Sequence, residues 1–458
     1  MKRLTALALP AVLTLFTGCD KQEVELGGRY QAVVDVEPEP IRDLDILFVI
    51  DNSGSMQPHQ EALAAAAGDA LFAQLEADLG ALPDLHMAFV STNVGTGPEG
   101  GGGTACNGNG DDGLFRGPEP GSDACQVTAE AFLKNLDDGA GGRMVNYQGT
   151  LAEAFSCMAI IGTLGCGFEQ PIEAIRRALD GRHPENDGFL RDEAMLLIVI
   201  LADEDDCSAF DRTVFDPDQD SIDAPLGIFA SYRCFEFGVV CDDDAPRTPG
   251  LKSGCQPRED SRYLASIAQS AEAIAALKPD PTRIMVAGLF GDVGPAEVVS
   301  GERDELELRD VCGRGTSSLV QDTVWPAIRL HALTEHFPSR YAFGSICDAT
   351  MATPLRSISR HTAGVMDQRP CLTAEVDLRG EEGPRCRVFD VTGPRTATEV
   401  RIELHACADD STRPCYEIAK DAELCSYTPG SLAVRVSRSG SRPPGAHLVA
   451  ECVMPAKP

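Results

Sequence analysis

Apolar and polar positions along the chain fall into two textures. From residue 41 to about 370, apolar runs of strand length alternate with stretches patterned at the helical period. "LDILFVID" (44–51), "LHMAFVSTNV" (85–94), "EAMLLIVILADEDD" (193–206), "RIMVAGLFGD" (283–292) and "RYAFGSICDA" (340–349) read as strands. Continuous apolar runs, rather than alternating ones, belong to strands covered on both faces. Helical patterning at 59–79, 128–137, 146–161, 169–181, 261–277 and 351–364 separates them. This order predicts an α/β fold with a doubly wound, mostly parallel sheet. Two insertions interrupt it. Residues 95–126 are Gly-rich, and 207–260 are rich in Asp, Pro and Cys. Both read as surface excursions stapled by disulfides. From 371 to 458 the texture changes. Segments 386–391, 398–407 and 431–440 alternate apolar with polar residues, which predicts a small Cys-rich β module.

The first 18 residues read as a leader. Lys2 and Arg3 precede an apolar run, Leu4 to Phe16, of signal-peptide length. The run ends in Thr-Gly-Cys, which resembles the lipobox of bacterial lipoproteins. That resemblance implies that Cys19 is lipidated and becomes the first residue after cleavage, with an ordinary cleaved signal as the alternative. Residues 19–40 are polar and end Pro-Glu-Pro, as expected of a tether. No later stretch reaches 18 uninterrupted apolar residues, so the lipid on Cys19 is the expected membrane contact. The expectation is an exported protein anchored in the bacterial envelope, at the outer membrane or cell surface rather than the inner membrane.

Charge and cysteine content narrow the function. The formal charge is −32, so the chain repels phosphate backbones and nucleic acid is not an expected partner. Of 17 cysteines, setting aside Cys19 leaves an even number with no CxxC pair. That argues for disulfides in an oxidising compartment rather than a zinc or thioredoxin site. Near neighbours (Cys106 with Cys125, Cys157 with Cys166, Cys371 with Cys386) are the simplest pairings to expect.

Chemistry gathers where strands end. "DILFVIDNSGSM" carries Asp51, Ser53 and Ser55 at alternate positions directly after a buried strand. "LLIVILA" likewise runs into Asp203. Ligands of open α/β sheets bind beyond the carboxyl ends of the strands. Hard oxygen donors there suit Mg²⁺ or another small divalent ion such as Mn²⁺ or Ca²⁺. The metal-free alternative is that the small polar residues cap the following helix.

The Asp-x-Ser-x-Ser motif resembles that of von Willebrand factor type A domains, over roughly residues 41–365. The resemblance implies a doubly wound α/β sheet and a metal-ion-dependent adhesion site. Ser53 and Ser55 would hold Mg²⁺ directly, Asp51 and Asp203 mostly through water. A carboxylate from a protein or surface ligand would fill an open coordination position. The family also supplies a threonine from a loop before a helix. Here that loop is "GTLGCGFEQPIEAI", in which Thr163 stands a few residues early. Either Thr163 reaches the site, or that ligand is missing, or Glu169 takes its place.

Other clusters are weaker. Asp216, Asp218 and Asp220 begin like a calcium loop, but Ser221 and Gly227 stand where an EF-hand needs Gly and Glu, leaving at most a looser structural Ca²⁺ site. Asn107 to Gly113 is similar. His331 and His336 are five residues apart, which puts them on different sides of a helix and argues against zinc. No G-x-S-x-G elbow or other nucleophile–base pair appears. The chain therefore reads as a lipid-anchored binding or adhesion protein and not an enzyme. A metal-free envelope scaffold is the alternative, ahead of a hydrolase with its pocket between the insertions.

Overall fold

The computed structural model describes residues 32–33, 41–117 except 99, 131–367 except 244, 302–304 and 314–323, and most of 371–453. The leader, Cys19 and Cys125 lie outside the described residues.

The apolar runs form one central sheet. Its strands are β1 (Asp43–Ile50), β2 (Asp84–Ser91), β3 (Leu133–Asp137), β4 (Arg143–Val145), β5 (Met195–Leu201), β6 (Ile284–Phe290) and β7 (Tyr341–Ser345). The order is β7-β6-β5-β1-β2-β3-β4. The first five of these are parallel, and β3 and β4 add an antiparallel edge. Register matters for function. Ile50 lies opposite both Ser91 and Leu201, and Leu201 opposite Leu289. The loops after β1, β2, β5 and β6 therefore leave the sheet at one level. From β1 the chain proceeds to β2 on one side, and from β5 to β6 on the other. The crevice of such a sheet opens between β1 and β5.

Helices cover both faces. On one side α1 (Gln57–Ala67), α2 (Gln74–Leu79), α3 (Leu151–Ala159) and α8 (Ala352–Met366) pack on Leu44, Ile46, Phe48 and Ile50. On the other α4 (Pro171–Leu179), α6 (Ile267–Ala275) and α7 (Ile328–Glu335) pack on Leu47 and Val49. Successive residues of β1 thus serve opposite cores, which is why its sequence is apolar throughout. A wider π turn at Gly68–Ala73 joins α1 to α2, so the expected 59–79 helix is continuous but not regular. A Cβ on Gly68 would come 2.9 Å from Ala152 Cβ, so the bare backbone lets α1 approach α3. Thr150 and Glu153 close a capping box at the start of α3.

Beyond Asp203 the acidic run is structural. Asp205 accepts from the amides of Arg329 (2.9 Å) and Leu330 (3.1 Å) at the start of α7. Burial pushes its pKa up to about 6 against those bonds. Asp206 pairs with Arg329 at 2.9 Å, both side chains fully buried, and also receives the Ser208 hydroxyl at 2.6 Å.

Three expectations need correction. Residues 128–137 were expected as a helix, yet Leu133–Asp137 is a strand, paired with β2 on one side and β4 on the other. Leu133 and Asn135 point inward, and Asn135 bonds Arg143 (2.6 Å) and Tyr147, so pairing overrides helical propensity. The 207–260 insertion is more than a surface excursion. It contains α5 (Tyr232–Gly238) and buries Val214, Phe215 and Leu226 around Phe168. The disulfides differ from the three pairings expected for Cys106, Cys157 and Cys371, although four of them do join successive cysteines. They are Cys106–Cys166, Cys207–Cys234, Cys241–Cys255, Cys312–Cys347, Cys371–Cys425, Cys386–Cys452 and Cys407–Cys415. Cys157 is disulfide-bonded as well. Their number indicates an exported protein in an oxidising compartment. Among the described residues no helix is long and apolar enough to cross a membrane.

The C-terminal segment forms a second sheet from β8 (Cys371–Leu372), β9 (Cys386–Thr392), β10 (Val400–Ala406), β11 (Cys415–Lys420), β12 (Leu432–Ser437) and β13 (Ala446–Cys452). Val388, Leu404, Val434 and Leu448 make its core. Ala32–Val33, from the segment expected to be a tether, pairs antiparallel with β13 and covers that edge.

Two outcomes follow for stability. Arg329→Ala leaves Asp206 buried without its partner and should cost about 3–5 kcal/mol in urea unfolding, part of it recovered by adding Asp206→Asn. His361, buried on α8 with Nε2 donating to Ser339 O at 3.0 Å, has its pKa lowered from 6.5 by burial. The unfolded chain takes that proton first, so the stability is present above pH 6.5 and is lost as pH falls below it. The slope is at most about 1.4 kcal/mol per pH unit. Thermal unfolding of His361→Gln between pH 7.5 and 5 should show a shallower decline than wild type.

Candidate metal centre

Strand register sets the site. Asp51, Thr92 and Asp203 follow β1, β2 and β5 at the shared carboxyl edge. Asp51 N donates to Leu201 O at 2.9 Å, Thr92 N to Ile50 O at 3.1 Å, and Trp325 N to Asp203 O at 2.9 Å. Asp51, Thr92 and Asp203 are all buried.

After Asp51 the chain turns sharply. Asp51 Oδ1 accepts from Ser53 N at 2.7 Å, and the hydroxyls of Ser53 and Ser55 lie 3.1 Å apart. Both serines are half-buried and Gly54 is exposed, so this is the accessible side. Helix α1 begins after Met56 without a side-chain cap, so these polar groups do not cap it. Asp51 Oδ2 is buried without an N–H or O–H donor, and the Asp51 carboxyl lies close enough to that of Asp203 for the two to share a proton.

The 161–170 loop packs beside this turn. Gln60 Nε2 donates to Asp51 O and to Gly162 O, each at 2.9 Å, and Gln60 Oε1 accepts from Ile161 N at 3.1 Å. Gly165 N donates to Asn52 O at 2.7 Å, and a Cβ on Gly165 would fall 2.1 Å from Asn52 Oδ1, so only glycine fits. Cys166 in the same loop is bonded to Cys106 of the Gly-rich insertion. Thr163 lies in this loop half-exposed. Glu169 is the residue that goes inward. It is 1% exposed, its Oε2 accepts from the Thr92 hydroxyl, and its Oε1 has no hydrogen-bond partner.

Electrostatics unite these groups. Burial, then the charge of Asp203, raises the pKa of Asp51 well above the carboxylate range. Burial and the charge of Asp51 do the same for Glu169, with Glu204 and Asp203 adding. Glu204 is raised by burial and by Asp203 and Asp51, against a hydrogen bond from Ser231. Among the described residues no arginine or lysine pairs with Asp51, Glu169 or Glu204. Carboxylates so placed cannot all ionise without a compensating cation. The donor set, carboxylates with two hydroxyls, fits a hard divalent ion such as Mg²⁺. Among the described residues no three His, Cys, Asp or Glu side chains are placed to hold a metal ion by themselves, so the two serine hydroxyls would have to complete the donor set.

Asp51, Ser53, Ser55 and Asp203, singled out from the sequence, lie at the same edge of the sheet, and Thr92 and Glu204, not singled out there, lie beside them. The signal for Glu204 was its position in "ADEDD", and Thr92 directly follows a strand end.

The acidic loop at 216–220 finds its cation inside the chain. Arg233 is buried and donates to the carbonyls of Val214 (2.8 Å), Asp216 (2.9 Å), Gly227 (3.0 Å) and Gln219. Asp216 accepts from Asp218 N and Gln219 Nε2, and Asp220 from Phe229 N. The charges of Asp220 and Asp216 act on the Arg233 guanidinium, whose hydrogen bonds go to main-chain carbonyls of the loop. Asp111 and Asp112, in the 107–113 loop, pair with Arg116 and Arg177.

A groove of about 710 Å³ runs between α4 and α6, lined by Arg176, Arg177, Arg212, Glu173 and Glu259. Of its serines, Ser261 donates to Phe237 O and Ser266 to Glu259, and no histidine is among its lining residues.

No protein-family model matches the chain, and no curated protein matches it. Among solved structures, the pilus adhesin RrgA of Streptococcus pneumoniae aligns over 93% of this chain and 58% of its own length, at 10% identity and a TM-score of 0.27. This chain thus spans less than two thirds of that adhesin, and so loose a superposition transfers neither fold nor function.

Proposed function

We propose that the protein is an exported binding module of the von Willebrand factor type A kind, held to the bacterial envelope by lipid on Cys19. Its contacts run through a divalent cation at the Asp51 centre, and it is not an enzyme. Support for the type A reading comes from the Asp-x-Ser-x-Ser turn after β1, Asp203 after β5, and helices on both faces of a mostly parallel sheet. The observation that carries the cation reading is the pair of buried oxygens without a donor, Asp51 Oδ2 and Glu169 Oε1, among carboxylates that raise one another's pKa.

Ser53, Ser55, Asp51 and Asp203 would hold the ion. Bound there, Mg²⁺ supplies a local positive charge that a carboxylate of a protein or surface ligand can meet. The chain's own residues do the rest. Asp51 Oδ1 fixes the turn, Gln60 and Asn52 hold the neighbouring loop in place, and burial keeps water from screening the carboxylates. Ser53 and Ser55 face the accessible side. Leu164, 89% exposed in the adjoining loop, offers an apolar contact at the rim. At −32 the surface repels an acidic partner at long range, so attraction must be local.

Calorimetric titration of Mg²⁺ and Mn²⁺ into the metal-free exported chain tests this. One site is expected, lost in Asp51→Ala and Ser53→Ala. No heat with all three proteins folded would favour the metal-free scaffold. The pH dependence has a defined sign. Raised carboxylate pKa values stabilise the metal-free fold at low pH, and that contribution is lost as pH rises through the folded values. The stabilisation by Mg²⁺ should therefore be larger at pH 8 than at pH 5. At a hundredfold excess over Kd it reaches about 2.7 kcal/mol, read as a rise in Tm.

A further inference from the structure

Glu169 is held like a ligand. Its backbone is fixed from three directions. Its carbonyl accepts from Cys207 N at 2.7 Å, the next amide, Gln170 N, donates to Thr92 O at 3.1 Å, and Gln170 Nε2 donates to Gly95 O at 2.9 Å. The Cys106–Cys166 disulfide ties the loop three residues earlier. The Thr92 hydroxyl orients Oε2, and Oε1 is left buried and unpartnered. The charged groups acting on it are the carboxylates of Asp51, Glu204 and Asp203, with no cationic side chain among them. A glutamate serving only as a hydrogen-bond acceptor for Thr92 needs no second oxygen buried without a donor.

We infer that Glu169 is a resident carboxylate ligand of the Asp51 centre, in the role for which Thr163 was expected. This rests on the cation reading above and deepens it. Replacing a neutral hydroxyl donor by a carboxylate does two things. It raises the negative charge around the ion, so the cation is retained more tightly. It also supplies a donor able to bind through one or both oxygens, which suits the larger and more adaptable coordination of Ca²⁺ and Mn²⁺ as well as Mg²⁺. The ion is then less electrophilic, and an acidic partner must either displace Glu169 or add apolar contact at the rim. The centre is thus a retained-ion site whose access is set by its own glutamate.

The test uses the purified protein, stripped with EDTA, and four variants: Glu169→Gln, Thr92→Val, Thr163→Ala and Asp51→Ala. Mg²⁺, Mn²⁺ and Ca²⁺ binding is read by calorimetry, and bound Mn²⁺ by its electron paramagnetic resonance spectrum. Glu169→Gln is expected to lose affinity by about tenfold or more, and to lose proportionally more for Ca²⁺ than for Mg²⁺. Thr92→Val should lose less, and Thr163→Ala nothing. In EDTA, Glu169→Gln should not lower Tm, because it keeps the side chain's shape while removing an acid from a cluster that has no cation; in saturating Mn²⁺ its Tm should fall below wild type. Wild-type affinity in Glu169→Gln, with binding abolished in Asp51→Ala, would overturn the assignment of Glu169 and leave the cation centre standing. Absence of binding in wild type would overturn both.

Discussion

A carboxylate taken out of water must be matched by positive charge, and in a chain this acidic the matching charges are scarce. Where the fold buries an acid for structural reasons, it brings its own cation. Asp206 has Arg329 at 2.9 Å. Asp45, fully buried on β1, has Arg191 at 2.8 Å and the buried Lys278 at 3.4 Å. Asp390 of the C-terminal sheet has Arg438 at 2.6 Å. Even the acidic loop at 216–220 is wound around Arg233. Asp51, Glu169 and Glu204 break the pattern, and they do so together, at the one edge of the sheet where ligands are expected.

The framework around that edge is built to hold it still. Ile50, Ser91 and Leu201 are locked in register, so the first residues beyond them have little freedom. The 161–170 loop crosses in front and is pinned by Gln60, by Asn52 and by a disulfide to the Gly-rich insertion. The insertions are far from decorative. One supplies Cys106 for that disulfide. The other supplies Cys207, whose amide fixes the carbonyl of Glu169, and a buried cluster that takes up Phe168. Rigid placement matters because carboxylates free to move apart would relax into water.

Much of this was legible in the sequence because it is periodic or local. Unbroken apolar runs marked the parallel strands, and the Asp-x-Ser-x-Ser spacing marked the turn after β1. What stayed hidden depends on contacts distant in sequence. Leu133–Asp137 reads as helix until Asn135 meets Arg143 and Tyr147. Cys106 finds Cys166 across 60 residues, which no spacing rule selects. Glu169 was visible as a candidate only because Thr163 stood early. Thr92 became meaningful only when β2 was seen to end level with β1, and Glu204 only when it was seen to part from Asp205 and Asp206, which turn away to α7.

The division within "ADEDD" also explains how the centre tolerates its own charge. Asp205 and Asp206 anchor the start of α7 and a buried guanidinium, so the backbone carrying Asp203 and Glu204 is held from behind. Gln170 and the Cys106–Cys166 bridge hold Glu169 from the opposite side. Repulsion among the acids therefore cannot be relieved by opening the loop without breaking a buried ion pair or a covalent bond. The remaining ways to relieve it are to take up protons or to take up a cation. Ser53 and Ser55, half-exposed, are the polar groups through which this edge meets solvent.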